Sequence, residues 1–143
     1  MAFEISVFLK NKITHFEEIT RILKQGNINI RSLMLTNINH GWGMINLLVD
    51  QPERAYELLT GSGNSVVMRE VIALEMKDEA GGLDELLIRL SRAGIHIDSA
   101  YSRLVGDQKT AVLLIEVPDV IEATQQLGKN NIGILPDAVV YGK

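Results

Sequence analysis

The sequence repeats itself, and the repeat decides how the rest is read. Sliding residues 5–32 onto 72–99 places Ile5 on Ile72, 67 residues further on. With no gap, Lys10 then meets Lys77, Glu18 meets Glu85, Leu23 meets Leu90, Ile28 meets Ile95, Ile30 meets Ile97 and Ser32 meets Ser99. Apolar positions coincide as well: Val7 with Leu74, Leu9 with Met76, Phe16 with Leu83, Ile19 with Leu86. One inserted residue then lengthens the offset, aligning Ala55 with Ala123 and Leu59 with Leu127. The tails also run together, VVMREVIA at 66–73 against ILPDAVVY at 134–141.

Each copy carries the same succession of periods. Ile5, Val7 and Leu9 alternate with Ser6, Phe8 and Lys10, a strand pattern. Phe16, Ile19, Ile22 and Leu23 then recur at helical spacing, as do Leu83, Leu86, Leu87 and Leu90. Asn27 and Gly94, residue types that tolerate a left-handed backbone, stand just past those helices. Ile28, Ile30 and Leu33 open a second strand, residues 44–49 form a third, and Pro52 starts a short helix over 52–59. A final strand over 66–68 runs almost directly into the next copy, and the tail match sets its counterpart at the start of 134–141. The order is β-α-β-β-α-β twice over, an α+β fold of two ferredoxin-like units. The expected units are residues 1–69 and 70–143. An almost absent linker favours packing side by side, with a shared antiparallel sheet and helices on one face.

The totals set limits on function. Of 143 residues, 46% are hydrophobic and 22% charged, enough apolar material for a packed core. A net charge of −4, with no long Lys/Arg run, argues against a nucleic-acid surface. Absence of cysteine excludes disulfides and thiolate chemistry and suits a reducing compartment. The start, MAFEISVFLK, lacks the basic head and apolar core of a signal peptide. No window approaches about 20 apolar residues, so no membrane partner is expected and the location read is cytoplasmic. No cofactor motif occurs: Gly61-Ser62-Gly63 lacks the third glycine of a dinucleotide fingerprint, and the phosphate-loop Lys-Ser/Thr is missing. His15, His40 and His96 are too scattered to suggest a metal site, and no acid–base or nucleophile set emerges.

The stretch D-E-A-G-G-L at 78–83, after a strand and before a helix, resembles the Asp/Asn-x-Pro-Gly-x-Leu signature of ACT domains. The helix exits G-N-I-N-I-R (26–31) and A-G-I-H-I-D (93–98) are similar to the Gly-Ile-Asn-Ile of that family. The likeness covers the whole chain as two tandem units. It implies a non-catalytic regulatory protein that binds a small ligand, most often an amino acid, where paired units meet. It also implies a homodimer, or alternatively an obligate regulatory subunit of an amino-acid metabolic enzyme acting through protein contact. Residue by residue, the implied ligand loop is Asp78, Ala80, Gly81, Gly82 and Leu83 in the second unit. In the first unit it is Asn11, Ile13, Thr14, His15 and Phe16. The start of the second strand, Ile28 and Asn29 or Ile95 and His96, supplies the other wall. No effector segment is read in the sequence, so output is expected to pass through a partner or through oligomerisation.

Physics gives that loop a rationale of its own. The first N–H groups of a helix lack internal partners and carry the positive dipole end. Gly81 and Gly82 would let a carboxylate approach these amides, with Asp78 placed for an ammonium group. A plain tight turn is the competing reading. The first unit departs from the pattern: Thr14 followed by Glu17 reads as a capping box that satisfies an amide a ligand would use. The second loop is therefore the expected primary contact. His15 and His96 either touch ligand or stand in solvent, and Trp42 either anchors a hairpin or touches ligand.

Overall fold

The computed structural model describes residues 2–10, 13–39, 41–105 and 110–142. Its elements in chain order are β1 (Ala2–Lys10), α1 (Ile13–Gln25), β2 (Ile30–Asn39), β3 (Trp42–Val49), α2 (Pro52–Gly61) and β4 (Ser65–Lys77). They continue as α3 (Gly82–Arg92), β5 (Ser99–Val105), β6 (Thr110–Glu116), α4 (Val120–Lys129) and α5 (Asp137–Tyr141). The fold is mixed α+β and divides into two compact units. The N-terminal unit holds Phe3–Arg69 with Tyr141 and Gly142; the C-terminal unit holds Glu70–Val140 with Ala2. The separate strands expected around Met68 and Val71 form one 13-residue strand, β4, and the division falls within it.

In the N-terminal unit the strands lie in the order β2-β3-β1-β4. Both β1 and β2 run antiparallel to β3, placing Ile5 and Leu33 opposite Leu47. Ile5, Val7 and Leu9 of β1 join Ile19 and Leu23 of α1 and Ala55 and Leu59 of α2 in one core. The spacing that identified α1 in the sequence is thus the spacing of its buried face. On the opposite face of β1, Ser6 is fully buried and donates from Oγ to Asn46 Oδ1 at 2.7 Å. That bond satisfies a hydroxyl whose burial would otherwise be costly.

The C-terminal unit repeats the plan, with β4, β6 and β5 adjacent in that order and Leu74 opposite Leu113. Ile72, Leu74, Leu86, Leu90, Ala123 and Leu127 form its core. Both leading helices stop in the same way. Asn27 (φ 56°) and Gly94 (φ 73°) are left-handed. Ile28 N–H donates to Leu23 O at 2.9 Å, and Ile95 N–H to Leu90 O at 3.1 Å. This is the Schellman closure that their residue types predicted.

The units differ at their ends. The strand expected at the start of 134–141 is reduced to a single bridge between Ile134 and Leu74. Leu135 N–H still donates to Ala73 O at 2.8 Å. Pro136 then ends the pairing, since it has no N–H to continue a ladder. Its carbonyl instead accepts from Val139 N–H at 3.0 Å, and the chain turns into α5. Arg103 Nη2 closes the far end of α5, donating to Val139 O at 2.9 Å and also to Val140 O. A cation at a helix C-terminus satisfies orphan carbonyls and complements the dipole.

Candidate functional site

The lead-in to α3 is built from two glycines with different duties. Gly81 is the N-cap at φ 87°, and a Cβ there would meet nothing within 4 Å. Its requirement is conformational, a left-handed backbone that L side chains rarely adopt. Gly82 has ordinary φ, but a Cβ there would lie 2.0 Å from Lys77 O. Its requirement is close approach of the helix start to the end of β4. The expectation that both amides stand open is corrected here, because Gly82 N–H donates to Glu79 O at 3.0 Å. No side chain caps α3. The amides of Leu83 and Asp84 are therefore the first-turn donors with no intrahelical acceptor. Asp84 and Glu85 in the first turn, with Asp78 and Glu79 before it, make the surroundings acidic. Asp78, Ala80 and Leu83 are all exposed.

The lead-in to α1 is built otherwise than the sequence suggested. The helix begins at Ile13, so Thr14 is its second residue and not its cap. The reach back toward the strand comes from His15. Lys10 N–H donates to His15 Nδ1 at 3.1 Å, and His15 Nε2 lies 2.9 Å from Asn64 Oδ1. Accepting at Nδ1 leaves the ring proton on Nε2, which donates to Asn64. Asn64 Nδ2 in turn donates to Leu59 O at 3.1 Å. His15 is thus half-buried and committed to both nitrogens, where exposure or ligand contact was expected. Ile13 is 79% exposed, and Asn11 lies outside the described residues.

The second-strand walls do not join these loops within either unit. Ile28 and Asn29 sit past the far end of α1, whose 13 residues span about 20 Å at about 1.5 Å per residue. There Asn29 N–H donates to Asp50 Oδ1 at 3.0 Å, beside an open recess of about 470 Å³ that Lys24 and Asn27 also line. Ile95 and His96 occupy the matching place in the C-terminal unit, on a pocket of only 60 Å³. Trp42 opens β3 opposite Lys10 and is half exposed.

Sequence reasoning missed the groove beside the α3 lead-in. It encloses about 370 Å³ and is lined by Lys77, Gly82, Glu85, Leu86 and Arg89 together with residues 131–135. Leu86 and Ile132 are buried, whereas Lys77, Glu85 and Arg89 are exposed, giving an apolar floor under a rim of both charges. Arg89 Nη2 donates to Asn131 O at 3.1 Å, tying the helix to the segment after α4. The repeat itself held the clue, since it sets Gly82 against His15. Among the described residues no three metal-ligating side chains gather, and no helix is long and apolar enough to cross a membrane. His40 lies outside the described residues.

A family described as an ACT domain pair matches residues 1–134. No curated protein matches. Among solved structures, protein BT0572 from Bacteroides thetaiotaomicron is similar at 25% identity with a TM-score of 0.87, covering 99% of this chain and 96% of that one. The regulatory subunit of aspartate kinase from Thermus thermophilus, in ligand-free form, aligns at 10% identity with a TM-score of 0.63, covering 90% and 92%. A crystal structure of aspartokinase alpha and beta subunits aligns at 17% identity with a TM-score of 0.53, covering 91% and 95%. At those lower identities the likeness is one of fold.

Proposed function

The chain belongs to the ACT domain pair family, and from that premise we propose that it is a non-catalytic regulatory protein that binds an amino acid beside the start of α3. The observation that carries this reading is the asymmetry of the two helix starts. One is tied up by His15, whereas the other begins at a left-handed glycine with no side-chain cap. Free first-turn amides and the positive end of the dipole favour an anionic group in this neighbourhood. Binding would act by favouring one arrangement of a homodimer, or of a complex with a metabolic enzyme, over another. The cysteine-free sequence supports a cytoplasmic setting.

A second reading, an obligate regulatory subunit acting mainly through protein contact, is favoured by one specific feature. The edge strand β2 leaves Leu33, Met34 and Leu35 about half exposed, an apolar border open to strand pairing. Fold likeness to an aspartate kinase regulatory subunit supports the same reading.

Thermal unfolding against a panel of the free amino acids separates the two. A true ligand at about a hundredfold over its dissociation constant adds about 2.7 kcal/mol. For a chain of this size that is several degrees. A flat panel would remove the amino-acid reading and leave the subunit reading.

A further inference from the structure

The N-terminal unit fills with a side chain the place that the C-terminal unit leaves open. Burial fixes the equivalence: Ile19 and Leu23 occupy in α1 the positions of Leu86 and Leu90 in α3, which sets His15 where Gly82 stands. The partner of His15, Asn64, follows left-handed Gly63 just after α2. Its counterpart after α4 follows left-handed Asn131 and is Ile132. Backbone bonds agree, since Asn64 N–H donates to Leu59 O and Ile132 N–H to Leu127 O. A hydrogen-bonded His–Asn pair in one unit is therefore a Gly–Ile pair in the other, and it is beside the Gly–Ile pair that the groove of about 370 Å³ lies. That volume lies in the range of about 300–1,000 Å³ typical of small-molecule sites.

The lining specifies an occupant. Leu86, Ile132 and Ile134 offer an apolar floor that a charged side chain would not match. Above it stand Glu85 and Arg89, one charge of each sign on the same helix. Arg89 is held at Asn131 O through one nitrogen, which leaves guanidinium donors for a carboxylate. In the N-terminal unit the Arg89 position is Ile22, so this guanidinium belongs to the open unit alone, whereas the other lining cation, Lys77, matches Lys10.

We propose that this groove binds one amino acid with an aliphatic side chain, such as leucine. Its carboxylate lies on Arg89, its ammonium on Glu85 and its side chain over Leu86 and Ile132. The imidazole of His15 keeps the corresponding place in the N-terminal unit closed, so each chain binds a single ligand. The inference rests on the amino-acid reading above and moves the ligand from the loop's crown to the groove beside it.

The test is calorimetric titration of the full chain with L-leucine, for the native sequence and for Arg89→Ala, Glu85→Trp and Asp78→Ala. All three side chains are exposed, so circular dichroism is expected to be unchanged. The expected result is one leucine per chain, at least about tenfold weaker in Arg89→Ala through loss of a charge-assisted contact. Glu85→Trp, which blocks the mouth, weakens it likewise, and Asp78→Ala leaves it unchanged. Loss in Asp78→Ala with full affinity in the other two variants would place the ligand at the loop, overturning the groove while sparing the amino-acid reading. Binding of only acidic or basic amino acids would overturn the aliphatic class. No binding by any amino acid in the panel would overturn the reading beneath both.

Discussion

His15 Nε2 and Asn64 Oδ1 stand 2.9 Å apart, joining the start of α1 to the segment between α2 and β4. The same ring accepts from Lys10 N–H, so one side chain ties together three stretches of backbone. Replacing His15 with Ala leaves both partners needing water, at a cost of about 1–2 kcal/mol. Asn64→Ala costs a similar amount because its amide also serves Leu59 O. The two losses are expected to be non-additive by about 0.5–1 kcal/mol in a double-mutant cycle read by urea unfolding. Strict additivity would show that the pair is not coupled.

The two glycines before α3 predict different penalties. At Gly81 the added Cβ enters open space, so Gly81→Ala pays only for its left-handed backbone, about 1–2 kcal/mol. At Gly82 the Cβ meets a carbonyl that cannot move without disturbing the end of β4. Gly82→Ala is expected to cost about 3 kcal/mol or more. Urea midpoints for the two variants should therefore fall in that order. The reverse order would mean that the conformation of Gly81, and not packing at Gly82, sets the geometry of this turn.

Periodicity told the sequence reader which helix faces are buried, because burial of Ile19, Leu23, Leu86 and Leu90 is what spaces those residues. The stops at Asn27 and Gly94 were legible for a local reason, since few residue types accept positive φ. Thr14 misled because a cap there would start the helix at His15, whereas it starts two residues earlier, at Ile13. The last strand misled because a match of apolar residues hid Pro136, whose missing N–H outweighs it. Of the groove, only the exchange of His15 for Gly82 was legible, through the repeat. The groove itself is made by residues 131–135 packing near Gly82, a tertiary fact with no period of its own.

Arg103 is predicted to hold the end of the chain in its helical form. Its guanidinium gives donors to the carbonyls of Val139 and Val140, the last turn of α5. Arg103→Ala removes charged hydrogen bonds, each worth about 1.5–3 kcal/mol. Arg103→Lys retains the charge but not the fork, and is expected to recover less than half of that loss. Hydrogen exchange at Val139 and Val140 should quicken in both variants, more in Arg103→Ala. Unchanged exchange at those amides would show that the proline turn alone fixes α5.

The repeat also predicts where stability can be added. Asp119 caps α4, accepting from Glu122 N–H at 3.0 Å, with φ −135° and ψ 102°. Gln51 holds the same position before α2, with φ −136° and ψ 75°, and makes no side-chain cap bond. Glutamine is too long to fold back onto the second or third amide of the helix, whereas aspartate reaches it. Asp119→Ala should cost about 1 kcal/mol. Gln51→Asp should gain about 0.5–1 kcal/mol, because the backbone there already has a conformation close to that of the capped copy. The gain is net of the 3.4 Å contact from Gln51 Nε2 to Asn27 O, which is long for a hydrogen bond. Urea unfolding of the two single variants and of the pair checks both signs. A Gln51→Asp protein no more stable than the native one would mean that the difference in ψ between the two caps is enough to keep the carboxylate from the amides.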